Sequence, residues 1–322
     1  MLWTLLSLYI VFLVIRGIWH LIKRFWAWLG SGKLVHTIAN EGEVSDDVRE
    51  AIQVVDDYET ARKLGGIRGK HARVDTSKKI KPKRPHLKPE QIKELMNARV
   101  TIREHFLDNL KLGWFQIVMV FFIGSVLGLI IEQIWMLITA GLTESRYGLV
   151  WGPFSPLYGV GAVLLTVIMF AMRKRGAKLW QIFIVSMIVG GLLEQACGWA
   201  MWTFMGAISW DYSAVPGHIT RWVAAPFLVF WGILGLFWYK TIMPPLLHAV
   251  GTQDTRRQAI FITLLSIYLI ADIAMTLACF GRRAARDDGI PPQNGFEEWV
   301  DENYSDEFMT NRFQNMVIES VS

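Results

Sequence analysis

Apolar residues run almost unbroken through six stretches, near residues 2–22, 114–140, 149–172, 179–206, 222–243 and 259–280. Each is close to the ~20 residues a helix needs to cross a bilayer. The pattern predicts an all-α protein, a polytopic transmembrane helix bundle of about six spans with a cytoplasmic, partly helical insertion. Arg16 interrupts the first stretch, so an amphipathic anchor lying in the membrane surface is the alternative there. No basic segment precedes that stretch, Lys23 and Arg24 follow it, and no small-residue cleavage pattern is present. It therefore reads as an N-terminal membrane anchor over residues 1–22, its start outside the cell, rather than as a cleaved signal.

Residues 23–112 are the main polar stretch, a basic cytoplasmic region with amphipathic helices. One helix is predicted over Ser45–Leu64, stopped by Gly65-Gly66, with Asp46 and Asp47 at its start and Val48, Ile52, Val55 and Ala61 as a partial apolar stripe. A second is predicted to open at Pro89, with Ile92, Leu95, Met96, Ile102 and Phe106 leading into the next span. Beyond it the pattern divides into a four-span core over 113–243, a cytoplasmic loop and last span over 244–280, and an acidic tail over 281–322. Lys and Arg cluster in the 23–112 region, in Arg173–Lys178 and at Arg256-Arg257, which sets those segments inside and the loops near 141–150 and 207–221 outside. Six spans would also place the tail outside, although Arg282, Arg283 and Arg286 beside the last span pull the other way.

Composition agrees with a membrane protein: 52% of the residues are hydrophobic and only 19% charged, where soluble domains carry about 25%. The net charge of +5 concentrates in the run Lys78-Lys79-Ile80-Lys81-Pro82-Lys83-Arg84. Beside spanning helices such a run is read as attraction to anionic lipid, worth ~1 kcal/mol per charge, in preference to a nucleic-acid site. Cys197 and Cys279 both fall in apolar spans, without metal-ligand spacing or a disulfide signature.

The chemistry lies in ionisable groups inside the spans. Gly128-Leu-Ile-Ile-Glu132-Gln133 and Gly190-Gly-Leu-Leu-Glu194-Gln195 have the same shape. A charge at such depth costs about 2.5–3.5 kcal/mol on insertion scales, so it faces a partner, a bundle interior or water, or else is protonated and packs between helices. At 1.5 Å per residue Glu132 lies ~27 Å beyond Trp114 and Glu194 ~22 Å beyond Leu179, both in the outer half, and Asp272 lies ~20 Å into the last span. Gly124, Gly128 and Glu132 share one helix face, as do Gly190, Glu194 and Gly198, and small residues at that spacing let helices approach closely.

The outer loops hold the other polar groups. Glu144 to Gly159 contains Pro153, Pro156, Gly148, Gly152 and Gly159, too many for an ordinary helix in so apolar a stretch. A re-entrant or broken-helix element is the expectation, with an irregular loop as the alternative. The second loop contains Asp211, Tyr212, Pro216-Gly217, His218 and Arg221. Arg146 and Arg221 are the natural countercharges for Glu132, Glu194 and Asp211. The order outward helix, Gly-x-x-x-Glu-Gln, aromatic-rich loop with Arg and Gly-Pro or Pro-Gly, then return helix occurs twice, which suggests a parallel internal duplication.

The run Arg146-Tyr-Gly-Leu-Val-Trp-Gly152-Pro153-Phe-Ser-Pro156-Leu-Tyr158-Gly159-Val-Gly161 resembles the hallmark of a bacterial ABC-transporter permease family also called ABC-transporter type IV. Trp210-Asp211-Tyr212-Ser213, Gly217-x-Ile-x-x-Arg221 and Phe230-Trp231-Gly232 match its second segment, and Glu132 and Glu194 fall at its buried acidic positions. The resemblance covers about residues 114–240. It departs at Ser145, where Asn is usual, at the extra Tyr147, and before Gly217, where Asn is again usual. What it implies is a permease subunit served by a separate ATPase, because the chain has no Gly-x-x-x-x-Gly-Lys-Ser/Thr loop; Gly65–Lys70 has the wrong spacing and is followed by His71.

The reading is thus an integral cell-membrane protein of permease type with a polar site near the outer leaflet. Its candidate site residues are Glu132, Glu194, Arg146, Asp211, Arg221, Tyr158 and Tyr212, with Gly148, Gly152, Pro153, Pro156, Gly159 and Gly161 shaping the backbone. No cofactor and no metal are expected, and no nucleic acid. The expected partners are the lipid bilayer, a separate ATPase subunit and a second copy of the chain. An intramembrane enzyme acting on lipid or lipid-linked substrates is the alternative, although no nucleophile with an adjacent base stands out. A non-catalytic membrane scaffold is the other.

Overall fold

The computed structural model describes residues 44–63, 87–253 and 255–318, with scattered positions between 9 and 29. The predicted anchor lies largely outside the described residues, and the basic run 78–84 wholly so.

Two compact units form. In the first, α1 (Asp46–Lys63) packs on α2 (Pro89–Asn109). Asp46 and Asp47 sit in the first turn of α1, where the helix dipole favours negative charge. Val48, Ile52 and Val55 of α1 are buried, as are Leu95, Ala98, Ile102 and Phe106 of α2. The buried face of α2 therefore leaves out Ile92 and Met96, which are exposed at 45% and 61%. α2 also stops at Asn109 instead of running into the next span, because the chain turns extended at Leu110.

The second unit holds α3 (Trp114–Ala140), α4 (Pro156–Lys174), α5 (Leu179–Met205), β1 (Ala207–Ile208), the hairpin strands β2 (His218–Thr220) and β3 (Val223–Ala224), and α6 (Ala225–Phe237). A π turn at Trp238–Ile242 leads into α7 (Met243–Val250); then come α8 (Arg256–Asp287), α9 (Gly295–Asn303), α10 (Asp306–Arg312) and β4 (Val317–Ile318). Five stretches among the described residues are long and apolar enough to cross a membrane: α3, α4, α5, the Ala225–Val250 stretch and α8. The fifth of the predicted spans thus runs past residue 243. Pro244 and Pro245 open α7 without N–H groups to give, and the π turn before them absorbs the mismatch.

The helix starts share a device that sequence periodicity does not reveal. The side-chain oxygens of Gln91, Gln116, Gln181 and Gln258 accept from the backbone N–H three residues earlier, at 3.0, 2.9, 2.7 and 2.9 Å. Each satisfies a donor that a helix start otherwise leaves open, the reciprocal half of a capping box.

The predicted duplication has a counterpart in packing. A Cβ on Gly128 would meet the Tyr158 ring at 2.4 Å, and one on Gly190 would meet Trp231 at 2.0 Å. Gly159 packs on Phe121, and Gly232 on Phe183; Gly124 faces Ala162, and Ser186 faces Gly235. All three pairs of contacts map onto each other with one offset on α3 and α5 and another on α4 and α6. The matching segments are Pro153-Phe-Ser-Pro-Leu-Tyr158-Gly159 and Pro226-Phe-Leu-Val-Phe-Trp231-Gly232. The sequence reading had matched Gly152-Pro153 to Pro216-Gly217; packing matches Pro153-Phe154 to Pro226-Phe227 instead.

Between α3 and α4 the chain does re-enter, as irregular coil rather than broken helix. Gly141 ends α3, and α4 starts only at Pro156. The Ser155 N–H donates to the Ser125 carbonyl at 3.3 Å. Ser125 lies ~22 Å back from the Ala140 end of α3 at 1.5 Å per residue, so the segment has descended well along that helix. The tail closes over it. β4 pairs antiparallel with β1, Ala207 opposite Ile318. Val150, Ala207, Met275, Cys279, Phe280, Val300, Met309 and Phe313 form one buried cluster. The acidic tail therefore shares a face of the bundle with both loops. Arg282 and Arg286, the charges that argued against this, are paired with tail carboxylates: Arg282 with Asp301 at 2.6 Å and Glu297 at 3.3 Å, Arg286 with Asp301 and with Asp306 at 2.6 Å.

Candidate functional site

Glu132 projects from α3 one turn beyond Gly128, and Tyr158 of α4 sits over that glycine. Arg146, from the re-entrant segment, donates to Glu132 Oε1 at 2.9 Å; the side chains are 11% and 23% exposed. The Tyr158 hydroxyl lies against the same carboxylate and within electrostatic reach of Arg146 and Tyr212. Tyr212 in turn approaches Glu194 Oε1 with its hydroxyl, at 3.5 Å, while its ring stacks on Phe227 at 4.3 Å between centroids. Trp231 lies against Glu194 from α6. Each acid of the duplicated motif thus has a phenol against it, Tyr158 for Glu132 and Tyr212 for Glu194, and the two phenols lie within electrostatic reach of each other.

Among the described residues, no arginine pairs with Glu194. It is 8% exposed, and its Oε2 has no hydrogen-bond partner, nor does Nε of Arg146. Burial pushes the Tyr212 phenol above its ordinary range, so it stays a donor. Beside Glu194, Gln195 accepts from the Thr220 hydroxyl at 2.6 Å and fixes the hairpin against α5.

Arg221 and Asp211 do not join this group. Arg221 donates to Asp211 at 2.6 Å, with both side chains over a third exposed. Hydrogen bonds from Ser213, then Arg221, hold the Asp211 carboxyl down at about 2. Of the three carboxylates expected to share the two arginines, Glu132 takes Arg146 and Asp211 takes Arg221, which leaves Glu194 with neither.

Several buried backbone groups of the re-entrant segment find protein partners. Gly148 N–H donates to the Phe154 carbonyl at 2.8 Å, Val150 N–H to Thr276 Oγ1 at 2.9 Å, and Trp151 N–H to Asp272 Oδ1 at 2.9 Å. The carbonyls of Leu149 and Gly152 accept from the Arg312 guanidinium, the first at 3.0 Å. That guanidinium lies over the Tyr147 ring at 3.8 Å, and burial draws it below its ordinary basicity. Ser145 is held at the tail by Gln314 and the Arg312 carbonyl.

The backbone-shaping residues each have a place in this. Gly152 has φ +68°, and a Cβ there would also meet the Phe154 ring at 2.3 Å. Gly148 abuts Pro156, which occupies the first turn of α4; Gly159 abuts Ser125, and Gly161 faces Leu193 and Trp231. Pro153 is exposed. Sequence reasoning missed Arg312, Thr276 and the role of Asp272, which hold the loop but lie far along the chain. It also passed over Trp231 as the counterpart of Tyr158, although the repeated Pro-Phe-x-x-x-aromatic-Gly spacing carries that signal.

No curated protein and no solved structure matches the chain. Residues 119–277, the stretch from α3 to α8 that builds this site, match the family model described as "Putative ABC-transporter type IV". That match is consistent with the family resemblance carried by the motifs at Arg146–Gly161 and Trp210–Gly232.

Proposed function

We propose that this protein is the membrane-spanning permease subunit of a transporter, with its substrate-facing polar site at Glu132, Arg146, Tyr158, Tyr212 and Glu194. The observation that carries the reading is the pair of equivalent intramembrane carboxylates, each against a phenol, beside a re-entrant segment. Ionisable groups kept inside spans at such cost mark pathways for polar cargo, and discontinuous segments at membrane depth line such sites in transporters. In this reading the two loops and the tail face outward and the α1–α2 pair faces the cytoplasm, as the Lys/Arg distribution demands. An ATPase docks on the cytoplasmic side, since the sequence contains no phosphate-binding loop of its own.

Photo-crosslinking from exposed positions of α1 and α2 in intact cells, followed by mass spectrometry, tests this. A nucleotide-binding ATPase is the expected adduct, and its ATP hydrolysis in reconstituted vesicles should fall at least tenfold with Arg146→Ala. No ATPase adduct, together with lipid turnover by the purified chain without ATP, would replace this reading with the enzyme.

A further inference from the structure

Glu132 and Glu194 occupy equivalent places in the two helical hairpins, α3–α4 and α5–α6, yet their surroundings differ in charge. Seven residues before the Pro-Phe pair, the first loop has Arg146 and the second has Ile219. Glu132 is paired at 2.9 Å. Glu194 is more deeply buried; its contacts are the long one from Tyr212, at 3.5 Å, and one from the Trp231 side chain, and its Oε2 is unpartnered. The arginine of its own loop, Arg221, is engaged by Asp211 at 2.6 Å.

The groups facing Glu194 can be named from each side. Tyr212 comes from the second loop and Trp231 from α6; Tyr158 of α4 stands beyond Tyr212, with Glu132 and Arg146 beyond that. Gln195 and Cys197 follow on its own helix, the former occupied by Thr220. None of the groups against it is a cation. An ionised Glu194 would leave a charged oxygen buried with neither countercharge nor donor, whereas a neutral carboxylic acid leaves only an uncharged hydroxyl unpaired, a far smaller cost.

We propose that Glu194 is a proton-binding site: near neutral pH it carries a proton on Oε2 in this conformation, while Glu132 is ion-paired with Arg146. Movement of the second loop with its β2–β3 strands away from α5 exposes that oxygen, and the proton passes to water, leaving the carboxylate and a hydronium ion. No electrons move. The two hairpins are thereby specialised, one as a fixed ion pair and one as an exchangeable proton carrier. This goes beyond the permease reading and does not depend on an ATPase.

Infrared spectroscopy of the purified chain in phosphatidylcholine vesicles tests it without any transport assay. The carbonyl stretch of a protonated carboxylic acid should be present near neutral pH, absent in Glu194→Gln and retained in Glu132→Gln. Tyr212→Phe keeps the acid but removes its hydroxyl donor, so the same band should persist and move to higher frequency. A band that survives Glu194→Gln unchanged, or that disappears with Glu132→Gln instead, overturns the assignment. So does a band whose frequency Tyr212→Phe leaves unchanged, which keeps the test decisive if Glu194→Gln does not fold.

Discussion

Arg146→Ala should destabilise the protein by about 3 kcal/mol, whereas Arg221→Ala should cost under ~1 kcal/mol. The two residues look alike in sequence, each a loop arginine near an intramembrane glutamate. Structure separates them. Arg146 is 11% exposed and neutralises a carboxylate in a spanning helix, so its removal strands Glu132 without a countercharge. Arg221 and Asp211 retain 37% and 36% exposure, and water compensates either when the other is removed. Unfolding of the purified protein in detergent, followed by tryptophan fluorescence, should show a large loss of thermal midpoint for the first substitution and little for the second. Equal losses would mean that both arginines are buried counterions after all.

The second large effect belongs to the tail. Arg312→Ala withdraws charged donors from the Leu149 and Gly152 carbonyls, removes the stack on Tyr147, and takes a positive charge from the neighbourhood of Asp272. Hydrogen bonds to charged groups contribute about 1.5–3 kcal/mol each, so a loss of about 3 kcal/mol is expected once their overlap is allowed for. Lysine should recover less than half, because it lacks the planar fork that reaches two carbonyls at once. Hydrogen exchange should quicken across 145–155 and 295–318 together, while α1 and α2 keep their protection. Quickening of the tail alone would show that the re-entrant segment stands without it.

How far the sequence revealed this differs from element to element. Spans were legible because membrane helices bury their backbone polarity internally and need only length and apolarity, which periodicity and hydropathy report directly. The helices at Asp46–Lys63 and Pro89–Asn109 were legible from their acidic and proline starts. Glu132 and Glu194 stood out for the same reason that they matter, as charges in the wrong solvent. Partnership was not legible. Arg146 and Arg221 each had three candidate carboxylates, and only folding places Asp211 nearer to Arg221. The coil of the re-entrant segment was half legible: its glycines and prolines forbid a helix, but what feeds its hydrogen bonds comes from Asp272, Thr276 and Arg312, well over a hundred residues onward. An acidic tail reads as solvated, and nothing local marks Met309 and Phe313 as core residues.

The account turns on which acid is ion-paired inside the membrane core, and a double-mutant cycle measures that directly. Unfolding free energies for Glu132→Gln, Arg146→Ala and the double variant should give a coupling above ~1.5 kcal/mol, as close buried charge pairs do. The parallel cycle between Glu194→Gln and Arg146→Ala should give under ~0.5 kcal/mol, the level of independent sites. Strong coupling of Arg146 to Glu194, or none to Glu132, would contradict it.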